Sequence, residues 1–118
     1  MKFQVSSSVL LKELNSIKGL VPSSPIIPIL ENFLFDIDGS KLSVTASDLQ
    51  TTMSLDIEID SNDQGQIAVP ARMLLETLRN LPEQPVYFEI DDKYSITITS
   101  DTGRYQIAGE DGSDFPHA

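Results

Sequence analysis

Two arginines on one predicted helix are the residues of this sequence best placed to do chemistry. Arg72 and Arg79 lie seven residues apart, so a helix presents both guanidinium groups on one side, with Glu76 between them. A phosphate backbone is the ligand that such a pair of fixed cations would attract. The pattern alone fits two interpretations, an ordinary solvated helix surface or a surface that contacts phosphates.

The helix that carries these arginines is predicted within the stretch Val69 to Leu81, beginning at Pro70. Pro70 can open it, because its missing N–H would have no partner in the first turn, and Pro82 ends it. We therefore expect a helix that packs through one side and shows its arginines outward. The apolar residues of the packing side are Ala71, Leu74, Leu75, Leu78 and Leu81.

Acidic residues alternate along two predicted strands and could suggest a cation site. Asp56, Glu58 and Asp60 follow one another at a spacing of two, as do Asp36 and Asp38. That spacing places the carboxylates on one exposed sheet face, as a solvated surface requires. No turn-rich ligand loop accompanies them. We predict a solvated sheet face and no metal site.

The remaining candidates do not form a catalytic set. The only histidine, His117, lies beside Pro116 and has no patterned partner for acid–base work. The stretch from Gly109 to Gly112 lacks the lysine and the strand–glycine–helix context of a phosphate loop. We predict a protein that is not an enzyme and needs no cofactor.

Length and charge limit the possible classes. A chain of 118 residues makes one domain, and the lack of cysteine excludes a disulfide framework. The net charge of −10 argues against a simple basic DNA-binding module. Residues 1–30 nevertheless hold three lysines against one glutamate, a balance of +2, which leaves −12 for the rest and confines polyanion contact to one face. A signal peptide and an apolar run of membrane-span length are both missing, so the expected location is the cytoplasm.

The other elements follow from hydrophobic periodicity. A first strand is predicted from Lys2 to Ser6, and Ser7 or Ser8 can cap a helix that runs to about Lys18. Lys12 lies on the small polar side of this helix. Three prolines make residues 21–28 an extended connection. Further strands are predicted over 29–37, 41–46, 53–60, 66–69, 86–90, 94–99 and 104–108.

These elements form a β-α-β-β-β unit that occurs twice. The predicted class is α+β, with the two helices side by side on one face of an antiparallel sheet. The segment from Glu110 to Ala118 shows no periodicity and is interpreted as a linker to another domain. The last strand is predicted to form a sheet edge, with Tyr105 and Ile107 on one face. That face either binds another chain or points into the core.

Six short motifs, taken together, are specific to one family. They are Met1-Lys2-Phe3, Leu10-Leu11-Lys12, Pro28 to Asn32, Thr45 to Leu49, Val69-Pro70-Ala71-Arg72 and Asp114-Phe115-Pro116. In this order they resemble the N-terminal domain of the bacterial beta sliding clamp, the processivity subunit of DNA polymerase III. The resemblance covers essentially all of residues 1–118.

The resemblance implies a DNA-clamp fold and a ring. Three such domains per chain and two chains, head to tail, would form a homodimer that encircles duplex DNA with helices lining the hole. Contact of this domain with DNA would be weak and independent of sequence, since it offers only about three phosphate contacts. The DNA polymerase and the clamp loader would bind the later domains.

The resemblance also assigns residues. Lys12, Arg72 and Arg79 would face the DNA, together with Ser24, which stands where some members carry arginine. The residues implied at the contact with the third domain of the partner subunit are Met73, Arg104, Tyr105 and Ile107. Met73 stands where some members carry lysine, which weakens the positive lining.

Two other classes compete with this reading. An enzyme would need a catalytic set, which the sequence does not supply. A free-standing electrostatic DNA-binding module would bind tightly with a steep salt dependence, and the acidic net charge counts against it.

Overall fold

Over the described residues, the fold consists of two α-helices and eight strands in the order β-α-β-β-β, repeated once. A computed structural model describes residues 1–23 and 27–116. Helix α1 spans Ser7–Ile17 and helix α2 spans Ala71–Arg79. The strands are β1 Lys2–Ser6, β2 Asn32–Asp38, β3 Lys41–Ser47, β4 Thr52–Glu58, β5 Gln64–Pro70, β6 Pro85–Ile90, β7 Ser95–Ser100 and β8 Gly103–Ala108. The α+β class and the duplicated unit are as predicted.

The strands form two four-stranded antiparallel sheets, so the expectation of one sheet is wrong. The strand orders are β1-β6-β7-β8 and β4-β3-β2-β5. Each unit therefore gives its first strand to the sheet of the other unit. Hydrophobic alternation shows which face of a strand is buried, but pairing between distant strands depends on tertiary packing and leaves no local signal.

Two short backbone bridges join the sheets along their sides. The Gln4 N–H donates to the Asp60 carbonyl oxygen at 2.9 Å, and the Asp60 N–H donates back at 3.0 Å. Ala68 and Glu110 make the same reciprocal pair at 2.9 and 3.0 Å. The bridges fall two residues beyond β4 and β8, at equivalent positions of the two units. The domain thus has an internal approximate two-fold symmetry.

Three phenylalanines fill the core where the inner faces of the sheets meet. The Phe3 and Phe88 rings stack with centroids 4.6 Å apart, and Phe35 from the other sheet lies 6.4 Å from each. The helices pack on this core through their apolar sides, which turns their polar sides outward. The buried helix residues are Leu10, Leu14 and Ile17 in α1 and Ala71, Leu74, Leu75 and Leu78 in α2.

The first helix is capped one residue earlier than predicted. Ser6 is the cap residue, and its Oγ accepts a hydrogen bond from the Val9 N–H at 3.4 Å. Ser7 is buried instead. Its Oγ donates to the Pro82 carbonyl oxygen and accepts from the Gln84 N–H, each at 3.1 Å. Ser7 thus ties the start of α1 to the second unit, a contact that a capping motif does not reveal.

The strand predicted from Ile29 begins at Asn32. Residues Pro28–Glu31 form a turn of 3-10 helix, in which the Asn32 side-chain amide donates to the Ile29 carbonyl oxygen at 3.0 Å. Proline at the first position favours such a turn over an extended strand. Helix α2 likewise ends at Arg79 rather than at Leu81.

The segment Glu110–Pro116, here called the strap, packs against the domain, a contact that its lack of periodicity did not predict, while its role as a linker to another domain stays a prediction. Phe115 is 1% exposed and lies in a small apolar cluster with Ile29, Leu34 and Ala68. Gly112 fits closely here, because an added Cβ would lie 2.6 Å from Leu34 Cδ1. A single aromatic residue has no periodicity, so sequence patterning missed it. His117 lies outside the described residues.

Candidate functional site

The two helices contact each other and present their polar sides to solvent. Lys12 of α1 and Arg72 and Arg79 of α2 are all exposed, as the wheel patterns predicted. Ser24, the fourth residue predicted to face DNA, lies outside the described residues. The structure therefore places three predicted cations on the helix surface.

A groove of about 800 Å³ is lined by two of these cations, Arg72 and Arg79, and by Lys18, which was not among the residues predicted to face DNA. Lys18 lies in the 3-10 turn that follows α1. Within the described ranges, Lys12 lies outside the groove. The signal for Lys18 was present in its position at the end of a helix, where a cation is favoured.

Carboxylates interrupt the positive charge of this groove. Glu31, Glu76 and Glu110 line it as well, so the three cations face three acids and the local sum is zero. Exposed charges of mixed sign attract a polyanion only weakly, and salt screens them. The groove can meet a phosphate backbone, but its chemistry offers neither tight binding nor base recognition.

The acidic residues lie on the outer faces of the sheets and make hydrogen bonds there. Ser43 Oγ donates to Asp56 Oδ1 at 2.7 Å, and Gln64 Nε2 donates to Asp38 Oδ1 at 3.0 Å. Across residues 1–23 and 27–116, no group of three or more His, Cys, Asp or Glu side chains could hold a metal ion. These acids form a solvated sheet surface on the side away from the helices.

The edge of the β1-β6-β7-β8 sheet exposes some of the residues predicted at the subunit contact and buries others. Strand β8 is the end strand of its sheet, and Arg104 is exposed on it. Ile107, however, is only 3% exposed, so its side chain points into the core, the second of the two alternatives for this face, and any part it has in the subunit contact is through its backbone. Tyr105 is half-buried and packs against the same core. Met73 is 50% exposed on α2, which contacts β8.

One negative finding concerns membranes. Over the part of the chain that the structure describes, neither helix has the length and apolar character needed to cross a bilayer.

Comparison with known proteins places the chain among replication proteins. The family model described as the DNA polymerase III beta subunit, N-terminal domain, matches residues 1–118. The beta sliding clamp of Vibrio harveyi is 30% identical over 118 residues, covering 99% of this chain and 81% of that sequence. The beta sliding clamp of Vibrio cholerae is 32% identical over 118 residues, covering 99% of this chain but 32% of that sequence.

Solved structures agree over the whole chain. The pol III beta structure from Caulobacter crescentus superposes with a TM-score of 0.92 and 31% identity, covering 100% of this chain and 32% of that one. The DNA polymerase sliding clamp from Bacillus subtilis gives a TM-score of 0.94 and 25% identity, covering 100% of this chain and 33% of that one. The chain thus spans about a third of the length of these proteins.

Proposed function

Because this chain belongs to the family of N-terminal domains of the DNA polymerase III beta subunit, we propose that it is one domain of a replication sliding clamp. The ring would encircle duplex DNA and keep the replicative polymerase on its template, without catalysis of its own. The observation that carries this proposal is the match of residues 1–118 to the family. The fold agrees with it, because the polar sides of the two helices face outward and carry exposed cations.

The length ratio supports a ring of repeated domains. The chain covers 32% of the Vibrio cholerae relative, as expected for one of three domains of similar size. Two such chains would close a ring, and the later domains would bind the polymerase and the loader. The cytoplasm is the location that goes with this role.

The balanced charge of the helix groove suits a protein that is held by topology. Lys18, Arg72 and Arg79 attract the duplex, while the neighbouring carboxylates limit the strength of each contact. A closed ring cannot leave a closed circle of DNA, so it needs little contact energy to stay bound. Weak contacts that do not read sequence also let the ring slide.

Retention on circular DNA tests this function directly. The full-length protein is loaded by its cognate loader on nicked circular DNA, washed at high salt, and assayed before and after the circle is linearised. We expect it to stay on the circle and to leave after linearisation, because salt weakens contacts but cannot open a topological link. Equal retention on both forms would mean that contact energy holds the protein and would overturn the ring.

The helix cations should contribute a small, salt-dependent attraction. In the full-length protein, changing Lys12, Arg72 and Arg79 together to glutamine should reduce the magnitude of the slope of log K against log salt by at most about 2.7 per chain, or about 5.4 for a ring of two chains, since each phosphate contact contributes about 0.9. Fluorescence anisotropy of a labelled duplex measures this slope. Lys41→Gln, an exposed cation on a sheet strand, is the matched control and should leave the slope unchanged. An unchanged slope in the triple variant would remove these residues from the DNA-facing surface.

We also propose that the β8 edge forms the contact with the partner subunit, through Arg104, the exposed part of Tyr105 and the neighbouring Met73. An end strand offers backbone groups for another sheet, and Met73 is an exposed apolar side chain on α2, the helix that contacts β8.

Substitution of Met73 tests this contact without disturbing the core. Met73→Asp should raise the dimer dissociation constant of the full-length protein by about tenfold or more, because it buries a charge at the interface. Sedimentation velocity measures the constant. Val9→Asp replaces a similarly exposed apolar residue on α1 and should leave the dimer intact. Equal behaviour of the two variants would exclude Met73 from the interface.

A further inference from the structure

The internal symmetry of the domain exposes one site whose counterpart in the other half is covered. Leu34 of β2 pairs across strands with Ala68 and Thr45, and Tyr87 of β6 pairs in the same way with Gln4 and Thr99. Leu34 is 4% exposed, whereas Tyr87 is 51% exposed. The two residues occupy equivalent places on the outer faces of the two sheets, so their different exposure needs a cause.

The strap is that cause. After β8 the chain turns back over Leu34 and Ala68 and buries Phe115 against them. After the equivalent bridge at Asp60, only residues 61–63 precede β5.

These three residues are held at the rim of the Tyr87 site. Ser61 Oγ donates to the Lys2 carbonyl oxygen at 2.6 Å, and the Lys2 N–H donates to Asp63 Oδ2 at 2.7 Å. Held there, they leave the Tyr87 ring uncovered.

An open depression of about 490 Å³ lies over Tyr87 as a result. Gln4 and Thr99 line it beside the tyrosine ring, and Lys2 and Arg104 bring cations to it. It has the same sheet position as the site that Phe115 covers. In size and form it is suited to a short segment with one aromatic side chain.

The charges of the two sites differ in a way that defines the occupant. Lys2 takes the place that Gln66 has on the covered face, and Arg104 takes the place of Ser54. The acids are largely matched, since Asp60 corresponds to Glu110 and Glu89 corresponds to Asp36.

The remaining acid of the depression, Asp63, accepts the Lys2 N–H and is already partnered. Relative to the site that accepts the acidic, aromatic strap, the open site has therefore gained two cations, Lys2 and Arg104, and one acid, Asp63, so its local charge is more positive by one.

We propose that the Tyr87 depression binds a short acidic and aromatic segment of a partner protein. The aromatic ring of the segment lies on Tyr87, as Phe115 lies on Leu34, and its carboxylate faces Lys2 and Arg104. Aromatic rings stack favourably, and a carboxylate gains charge-assisted hydrogen bonds from an arginine. The site lies on the sheet face away from the helices, so DNA and this partner can be bound together.

The strap sequence itself provides the probe. A synthetic peptide Glu-Asp-Gly-Ser-Asp-Phe-Pro, with benzoylphenylalanine in place of phenylalanine, is irradiated with the full-length protein, and the cross-linked residues are mapped by mass spectrometry. We expect cross-links on β6 and β7 around Tyr87 and Thr99. Cross-links around Leu34 would mean that the peptide only displaces the strap. Cross-links around Leu34 alone would overturn the proposal. So would the absence of cross-links at about 1 mM peptide, a concentration at the weak end of specific binding.

Substitutions test the same site by affinity. With a fluorescein-labelled form of the unmodified peptide, Tyr87→Ser and Lys2→Glu should each raise the dissociation constant by about tenfold or more. Met53→Ser, a similarly exposed apolar residue on another strand, should leave it unchanged. A peptide with alanine for phenylalanine should not bind. Equal affinity of Tyr87→Ser and the unsubstituted protein would overturn the proposal, as would a change in oligomeric state in Tyr87→Ser, which would identify the occupant as a second copy.

Discussion

Replacing Phe88 with alanine is expected to lower the free energy of unfolding of the 118-residue chain by about 3–5 kcal/mol. Phe88 is 1% exposed, stacks on Phe3 and touches Phe35 of the other sheet. The backbone bridges hold the two sheets together on both sides, so the walls of the resulting cavity cannot collapse easily. Urea unfolding followed by far-ultraviolet circular dichroism measures the loss.

The neighbouring residue provides the control for this substitution. Tyr87 is also aromatic and lies on the same strand, but its side chain is on the outer face. Tyr87→Ala should change the free energy of unfolding by less than about 1 kcal/mol, as exposed substitutions generally do. Equal losses in the two variants would contradict the assignment of Phe88 to the contact between the sheets.

Replacing Phe115 with alanine should lower the free energy of unfolding by about 3–5 kcal/mol, although this residue lies near the end of the chain. Its ring is buried by Ile29, Leu34 and Ala68 and fastens the strap to the outer face of the first unit's sheet. Hydrogen exchange should also quicken at Ala68 and Glu110, whose amides pair beneath the strap at 2.9 and 3.0 Å.

Ser113→Ala is the matched control within the strap. Its side chain is exposed, and the bond that it makes to the Asp111 carboxylate uses its backbone N–H, which alanine retains. Stability should therefore stay within about 0.5 kcal/mol of the original chain. If Phe115→Ala were as mild as this control, residues 110–116 would behave as the unpacked linker that their sequence suggests.

The two phenylalanines should act independently. Phe88 belongs to the main core and Phe115 to the separate small cluster, and the two clusters share no residues. The loss in the double variant should therefore equal the sum of the single losses within about 0.5 kcal/mol. A larger deviation would show that unpacking the strap loosens the core.

Local sequence patterns were sufficient to predict the helices and strands and to predict which side of each helix is buried. Leu74, Leu75 and Leu78 recur at helical spacing and are buried, so Arg72 and Arg79 had to point outward. The alternation of Leu42, Val44 and Ala46 likewise predicted which face of β3 is buried. Such assignments succeed because the period of a helix or strand is set by its own backbone, whatever it packs against.

Only the tertiary structure decided the features that join distant residues. The exchange of first strands between two sheets, the burial of Ile107 and the place of Ser7 beneath Gln84 all depend on partners far along the chain. Lys18 lines the same groove as Arg72 and Arg79, residues more than fifty positions further along the chain.

Phe115 and Tyr87 give the plainest case. Phe115 follows no periodic pattern and is buried, whereas Tyr87 lies on the outer face of the alternating strand β6 and is half exposed. Residues 111–116 follow the second bridge, at Glu110, and cover a sheet face, whereas three residues join the first bridge, at Asp60, to β5. Burial of a single side chain depends on which backbone passes over it, and that is a property of chain path rather than of local sequence.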